Sequence, residues 1–249
     1  SLPNSGGSVR LRKPSGAIVW ATDYDDRHPW PIAADGTGHS LILARPSHGE
    51  ASARAWSASH HVGGSPGGPD PIPSGALDHP VINEVLADSV ELHNPSPLTV
   101  DLSGCYLSDT RDLLTRFQLP PETLIGPQGH LVFDEAALGF APRAGGSVLF
   151  LTSADGQRLL DAISFPTAAA ETALGRYPDG NPNTRLSPLA APTPGAENAP
   201  EAIPDVVINE IFFHAPLTQA SAGDWVELHN RSGGSVSLAG WSFTDGIDF

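Results

Sequence analysis

The sequence contains no methionine, one cysteine (Cys105) and one lysine (Lys13) among its 249 residues. A lone cysteine forms no internal disulfide, so cysteine usage does not identify the redox compartment. The absence of methionine predicts that the chain is processed or belongs to a longer protein. No apolar run approaches the roughly 20 residues of a membrane-spanning helix, so we predict no membrane insertion.

Positive charge is also scarce in this chain. Lys and Arg total 13 against 28 Asp and Glu, which gives a formal net charge of −15. Nucleic-acid binding depends on basic side chains that neutralise phosphates, and anionic membrane surfaces repel an acidic protein. We therefore exclude nucleic acid and membrane surfaces as partners. With 39% hydrophobic residues, the chain is able to bury a core.

Helical periodicity is almost absent, and short strand-like segments take its place. Residues 89–93 and 224–228 alternate apolar and polar side chains, whereas residues 130–133 and 148–151 are short apolar runs. Turn-forming pairs such as Ser-Gly and Asp-Gly separate these segments, and the chain has 26 Gly and 25 Pro. This pattern predicts an all-β protein built as an antiparallel sandwich or barrel.

Two motifs occur twice in the same order. Ile-Asn-Glu occupies residues 82–84 and 208–210, and Val-Glu-Leu-His-Asn occupies residues 90–94 and 226–230. Self-similarity of this kind is typical of repeated structural units. The second copy has about ten more residues between the two motifs than the first. We interpret them as a longer surface loop.

A second set of motifs recurs with a different offset along the chain. Its members are Gly-Gly-Ser-Val at 6–9 and 145–148, Asp-Gly at 35–36 and 179–180, and Ser/Thr-Pro-Gly at 65–67 and 193–195. The order indicates the end of one module, a whole module, and the beginning of another. The predicted segments are a C-terminal half (1–70), a linker (71–80), a complete module (81–198), a linker (199–205) and an N-terminal half (206–249).

The ordered motifs resemble those of the lamin-tail domain family. They begin with Ile-Asn-Glu and continue with Trp-Val-Glu-Leu-His-Asn at residues 225–230 and Leu-Ala-Gly-Trp at 238–241. In the complete module they extend to Leu-Ile-Gly-Pro-Gln-Gly-His-Leu-Val at 124–132 and Thr-Pro-Gly-Ala-Glu-Asn at 193–198. The resemblance covers nearly the whole chain.

This resemblance implies tandem immunoglobulin-like β-sandwich modules without catalytic residues of their own. Besides nuclear lamins, such domains occur in large bacterial secreted or surface proteins, often beside catalytic modules. The excess of Arg over Lys and the tandem arrangement resemble the bacterial branch. The chain departs from the pattern at Cys105, where the later copy has Trp241, and at His93 and His229, where the family usually has Tyr.

Paired carboxylates recur with the modules, as Glu84 with Glu91 and as Glu210 with Glu227. Two carboxylates are the acid and base of glycosidases. A repeated carboxylate also serves architecture, because it accepts hydrogen bonds from backbone N–H groups. Since the pairs repeat with the modules, we favour the architectural role and predict no catalytic residues.

Calcium is the one cofactor that the sequence suggests, because clustered carboxylate and carbonyl oxygens suit this hard cation. No cluster has the EF-hand spacing, and Asp and Asn are also ordinary turn formers. The candidate ligands are Asp23, Asp25, Asp26, Asp179, Asn181, Asn183, Asp245 and Asp248.

Histidine and tryptophan are further candidate ligand-binding residues. The ten histidines show no H-x-x-x-H spacing, and a zinc site needs three or four converging ligands, so we predict isolated histidines. Among the five tryptophans, Trp30 lies between two prolines and is the candidate for an exposed carbohydrate-binding ring. The alternative for the tryptophans is packing in the core.

The sequence thus predicts a non-enzymatic, structural or adhesive module array from a larger bacterial extracellular or cell-surface protein. Its partners would be other copies of itself or neighbouring modules, joined head to tail by strand complementation into a filament. One alternative is a carbohydrate- or polymer-binding module assisted by calcium. Another is an accessory domain of a larger secreted enzyme.

Overall fold

A computed structural model of the chain describes residues 2–71, 75, 77, 79–143, 148–182, 184–213 and 223–243. The chain divides into two compact units, residues 1–201 and 202–249. The described residues form short strands in antiparallel sheets, and their one α-helix is a single turn, Glu135–Leu138. The all-β class predicted from the sequence is therefore confirmed. Within the described ranges, no helix has the length and apolar character of a membrane span.

Two hairpins form the strands of the N-terminal part of the first unit. In the first hairpin β1 pairs with β2, and in the second β3 pairs with β4, both antiparallel. The strands are β1 (Gly7–Arg12), β2 (Ile18–Tyr24), β3 (Leu41–Leu43) and β4 (Trp56–Ala58).

Most of the remaining strands of the first unit belong to two sheets. The strands are β5 (Val81–Val85), β6 (Ser89–His93), β7 (Val100–Asp101), β8 (Tyr106–Ser108), β9 (Phe117–Gln118), β10 (Leu124–Ile125), β11 (His130–Asp134), β12 (Val148–Thr152), β13 (Leu159–Ser164), β14 (Leu174–Gly175) and β15 (Ser187–Pro188). The large sheet has the order β11-β6-β5-β14-β15, and the small sheet has the order β13-β12-β8-β9. The strands β7 and β10 form a separate pair.

One hydrophobic core joins the large and small sheets. Successive side chains of a strand point to opposite faces, so Val90 and Leu92 of β6 lie on one face. Both are fully buried in a cluster with Leu149 and Leu151 of β12. Burial of each such side chain contributes about 1.5–3 kcal/mol. Glu91 and His93 alternate with these two residues along β6, so they face away from this core.

The N-terminal part packs on the other face of the small sheet. Phe150 of β12 and Ala162 of β13 are buried in a second cluster with Ile32. The Val62 N–H also donates a 3.0 Å hydrogen bond to the Gln157 carbonyl. Strand β12 is thus covered on both faces, which explains why residues 148–151 form a continuous apolar run in the sequence.

A buried ion pair links the two sheets. Arg176, directly after β14, and Asp161 of β13 have side chains only 2% and 9% exposed, and their closest N–O distance is 2.8 Å. Asp161 also accepts the Ile82 N–H at 2.7 Å, and the Arg176 Nε donates to the Ile82 carbonyl at 2.8 Å. The pair therefore forms hydrogen bonds with both the N–H and the carbonyl of Ile82 in β5.

The second unit contains one described hairpin, formed by β16 (Val206–Phe212) and β17 (Trp225–Asn230). Large apolar side chains on it are exposed, among them Ile208 (54%) and Leu228 (38%). Their counterparts by motif are the fully buried Ile82 and Leu92 of the first unit. The hairpin thus presents to solvent the positions that form core in the earlier copy.

We expect Asp161→Ala to lower the free energy of unfolding of the first unit by about 3–5 kcal/mol, because it leaves a buried guanidinium without this carboxylate. Urea unfolding followed by far-ultraviolet circular dichroism measures the change. Asp23→Ala is the control, since the Asp23–Arg10 pair has side chains 75% and 42% exposed and such pairs contribute about 0–1 kcal/mol. Equal losses in the two variants would contradict the assigned role of Asp161.

Candidate functional site

The candidate site lies on the face of the large sheet that points away from the core, beside the hairpin of β5 and β6. In this hairpin Ile82 is opposite Leu92 and Glu84 is opposite Glu91, with a register shift at Asn83. A shift of this kind is a β-bulge, which places an additional side chain on one strand. All five residues are buried.

The hairpin of the second unit has the same register. Ile208 is opposite Leu228 and Glu210 is opposite Glu227, with the shift at Asn209. The Asn209 side chain donates to Glu227, as the Asn83 side chain donates to Glu91 at 3.0 Å in the first copy. The repeated motif therefore specifies this bulged hairpin in both units.

In the first unit, the two carboxylates of the hairpin hold a covering segment, which we define as residues 176–182 and 184–198. Glu84 accepts the Thr193 N–H at 3.0 Å, and Glu91 accepts the Gly195 N–H at 2.7 Å. Asn83 accepts the Gly180 N–H at 3.2 Å. Because these oxygens accept backbone N–H groups, the paired carboxylates attach the covering segment to the hairpin of β5 and β6.

Burial perturbs both carboxyl groups. Burial raises the pKa of Glu84, while the hydrogen bond from Thr193 opposes the increase and the negative charge of Glu91 adds to it. Burial also raises the pKa of Glu91, and the hydrogen bonds from Asn83 and Gly195 oppose it. Each carboxylate is thus held in an environment that disfavours its charge and is stabilised by nearby N–H groups.

Next to these carboxylates, three side chains of metal-ligating type converge. His93 and His130 are directly paired across β6 and β11, and their rings stack with centroids 4.4 Å apart. His130 Nε2 lies 2.7 Å from Asp179 Oδ2. Ligand atoms of His93, His130 and Asp179 all lie within 4.8 Å of one another, and no other such group occurs in the described ranges.

The tautomer of His93 follows from its hydrogen bond. His93 Nδ1 lies 3.1 Å from the Gly129 carbonyl oxygen, which only accepts, so Nδ1 carries the proton and Nε2 keeps its lone pair. Burial, together with the nearby His130, lowers the pKa of His93 and favours the neutral ring. His93 is therefore poised to offer Nε2 as a ligand atom.

The acidic cluster near residue 25 is not assembled into a ligand set. Asp23 pairs with Arg10 and accepts from Ser8, while Asp25 accepts the N–H of Arg27 at 2.9 Å. Asp26 lies 4.0 Å from the Arg27 guanidinium. The structure does not bring the three predicted calcium ligands of this loop, Asp23, Asp25 and Asp26, together around one point.

The other predicted calcium ligands have different outcomes. Asp179 Oδ1 accepts the Asn198 N–H at 3.0 Å, and the Asn181 side chain donates to the Tyr177 carbonyl at 3.1 Å. These contacts fasten the turn after β14. The predicted ligands Asn183, Asp245 and Asp248 lie outside the described residues.

Trp30 belongs to an aromatic cluster of the N-terminal part. It is half-buried, and its ring centroid lies 6.0 Å from that of Trp56, which lies 6.2 Å from that of Trp20. The Trp56 Nε1–H donates to the Glu50 carbonyl at 2.9 Å. Trp30 is therefore packed against a neighbour on one side and keeps part of its surface in solvent.

Sequence reasoning missed the convergence of His93 and His130. Their separation along the chain matches no short ligand motif, and the third member of the group lies in a turn further along. The available signal was the recurrence of His93 as His229, combined with the antiparallel pairing of β6 and β11. Only the pairing register places His130 beside His93.

Comparison with known proteins finds no match to this chain. No protein-family model matches it, and neither a curated protein nor a solved structure does.

We expect Glu84→Gln to gain stability relative to the wild type as the pH rises through the pKa of Glu84. The native pKa is raised, so the native state binds more protons than the unfolded state in this range, and rising pH lowers wild-type stability. The neutral Gln retains an acceptor for Thr193 without this penalty. Urea unfolding from about pH 4 to about pH 7.5, a range that begins near the usual Glu pKa of about 4.3 and extends above it, measures the difference. The exposed counterpart variant Glu210→Gln should leave the pH profile of the first unit unchanged.

We expect Glu91→Ala to lower the free energy of unfolding by about 1–3 kcal/mol, because it leaves the buried donor Asn83 Nδ2 without this acceptor and removes the acceptor of the Gly195 N–H. Hydrogen exchange measured by mass spectrometry should show faster exchange in peptides that cover residue 195. Glu227→Ala is the matched control, since the same motif position is exposed in the second unit. Unchanged protection of the covering segment in Glu91→Ala would refute this role.

Proposed function

We propose that the chain is a non-enzymatic array of tandem immunoglobulin-like, lamin-tail-like β-sandwich modules in a larger bacterial extracellular or cell-surface protein. Its role in this proposal is structural or adhesive. The observation that carries the proposal is the bulged hairpin that recurs with the same register at residues 81–93 and 207–229. One architectural unit used more than once favours a scaffold over a single catalytic centre.

The use of the paired carboxylates supports a role without catalysis. Glu84 and Glu91 are 1% and 2% exposed, and both accept backbone N–H groups of the covering segment. A glycosidase pair needs both carboxyl groups to face a substrate. Here the covering segment occupies the position that a substrate would need.

A second recurring hairpin supports the assignment of residues 1–70 as the later half of a module. In β1–β2, Leu11 is opposite Trp20 and a register shift follows directly after Leu11. In β12–β13, Leu151 is opposite Asp161 and a register shift follows directly after Leu151. The two hairpins therefore share their bulge position, although Trp20 replaces the carboxylate of the buried ion pair.

The two outer hairpins expose complementary apolar positions. In the complete module, Leu92 and Leu151 share one core. Leu228 in β17, the counterpart of Leu92 by motif, is 38% exposed. Leu11 in β1, which directly precedes a register shift as Leu151 does, is 62% exposed. We propose that a segment like residues 1–71, in a neighbouring copy or elsewhere in a longer chain, completes the hairpin of the second unit. Repeated between copies, this contact gives a head-to-tail filament.

A second candidate function is carbohydrate or polymer binding, with calcium as an assisting ion. The half-buried Trp30 beside Trp56 favours it, because sugar rings stack on partly exposed aromatic faces. A role as accessory domain of a secreted enzyme is compatible with both candidates, since either would hold a neighbouring catalytic module at its site of action.

The head-to-tail contact is tested with two variants that each block one of its faces. We expect Leu11→Asp and Ile208→Asp, each alone, to stop the concentration-dependent association of the chain in sedimentation velocity. An equimolar mixture should form a one-to-one dimer, because each variant keeps the face that the other lacks. Leu113→Asp, at a residue 52% exposed outside both hairpins, is the control and should associate as the wild type does.

A wild-type chain that stays monomeric at all concentrations would exclude contact between copies. The hairpin of the second unit would then be completed by a segment elsewhere in a longer chain. Fusing residues 1–71 after residue 249 of the full chain tests this. Failure of that fusion to protect residues 206–230 from hydrogen exchange would exclude completion altogether.

A further inference from the structure

We propose that His93, His130 and Asp179 form a binding site for a divalent transition-metal ion of the Zn²⁺ type. The three residues contribute two imidazole nitrogens and one carboxylate oxygen, with ligand atoms within 4.8 Å of one another. This site is separate from the proposed module function, and neither depends on the other. The sequence suggested calcium and isolated histidines, and neither expectation described this group.

The donor set selects the chemical class of the ion. Two imidazoles with one carboxylate suit borderline ions such as Zn²⁺, which accepts His nitrogen at about 2.0–2.1 Å and carboxylate oxygen at about 2.0–2.2 Å. Calcium instead takes about six to eight oxygen ligands. Asp179 is thus a predicted calcium ligand whose actual neighbours, His93 and His130, favour a different metal.

The partners of these side chains orient them as ligands. The Gly129 carbonyl accepts the His93 Nδ1–H, which leaves Nε2 with its lone pair. Metal-binding histidines commonly donate their other ring N–H to a carbonyl in this way. The Asn198 N–H donates to Asp179 Oδ1 at 3.0 Å, while Oδ2 points to His130 Nε2. Both ends of the group are therefore fixed by backbone atoms of the first unit.

The geometry requires one local adjustment on binding. His130 Nε2 and Asp179 Oδ2 are hydrogen-bonded at 2.7 Å, whereas two ligands of a tetrahedral Zn²⁺ lie about 3.3 Å apart. Binding through Nε2 therefore displaces the proton between these atoms, to solvent from a charged His130 or to Nδ1 of a neutral one, and separates the two atoms by about 0.6 Å. Their side chains are each 12% exposed, so the ion reaches them from solvent, whereas His93 is buried behind them.

The position of the site gives the ion a structural consequence. His93 ends β6, His130 begins β11, and Asp179 belongs to the covering segment. An ion held by all three connects the covering segment to the edge of the large sheet. Because the unfolded chain does not hold these ligands together, binding stabilises the folded first unit, and the stabilisation increases with the logarithm of the free ion concentration once the site is saturated.

The experiment uses the full chain after removal of metal with a chelator. We expect isothermal titration with Zn²⁺ to give one ion per chain, and elemental analysis after desalting to retain it. Zn²⁺ should raise the melting temperature, and a chelator should reverse the increase. His130→Asn and Asp179→Asn should each weaken Zn²⁺ binding by about 100-fold or more, since each removes a ligand.

The matched control is the double variant His60→Asn/His61→Asn, which removes the other close histidine pair, with ring centroids 4.5 Å apart. It should bind Zn²⁺ as the wild type does. Binding lost in this variant, or retained in His130→Asn, would overturn the assignment to His93, His130 and Asp179.

A measurement on the unsubstituted chain covers the case in which the site variants fail to fold. Co²⁺ added to the metal-free wild type should give the intense visible absorption of a tetrahedral ion, and added Zn²⁺ should abolish it. The weak spectrum of hexa-aquo Co²⁺, or no heat and no retained Zn²⁺, would overturn the proposal.

Discussion

The first unit depends on buried carboxylates that bind backbone N–H groups. A carboxylate that leaves water loses several kcal/mol of solvation unless hydrogen bonds replace it. Glu84 and Glu91 meet this requirement with the N–H groups of Thr193 and Gly195. These hydrogen bonds fix where the covering segment crosses the hairpin of β5 and β6. The sheet face that carries Glu and His is therefore covered by the covering segment.

The Asp161–Arg176 pair applies the same constraint between the sheets. Asp161 belongs to β13 of the small sheet, Arg176 directly follows β14 of the large sheet, and both contact backbone groups of Ile82. An apolar core alone tolerates sliding of one sheet over the other, because hydrophobic contact has no direction. Arg176 Nη2 donates to both carboxylate oxygens of Asp161, and these charge-assisted hydrogen bonds are directional, so the pair fixes the relative placement of the sheets.

The second unit shows what the hairpin is like when no covering segment is among its described residues. Its register, bulge and Asn–Glu contact are those of the earlier copy, yet Ile208 and Leu228 are exposed where Ile82 and Leu92 are buried. Local structure is thus specified by the motif, and burial by the partner segment. This division explains why the same residues serve as core in one place and as an apolar surface in another, and why we look for a completing segment.

The repeated hairpins were determined by the sequence by itself, because their information is local. Alternation of Val, Leu and Glu sets the strand faces, and the pairing of Ile-Asn-Glu with Val-Glu-Leu-His-Asn brings Asn83 and Asn209 to the same bulge. The all-β class follows from the same periodicity. The preference for an architectural role of the paired carboxylates also follows from their repetition.

Only the tertiary structure decided which residues meet at the site. His93, His130 and Asp179 come from two strands and a turn, and their meeting depends on the register between β6 and β11 and on the path of the covering segment. Asp23, Asp25 and Asp26 are close in sequence and still do not converge, since Asp23 contacts Ser8 and Arg10 across the β1–β2 hairpin, whereas Asp25 and Asp26 follow the strand and contact Arg27. Proximity in sequence proved a poor guide to ligation here, because ligand geometry is set by contacts between distant segments.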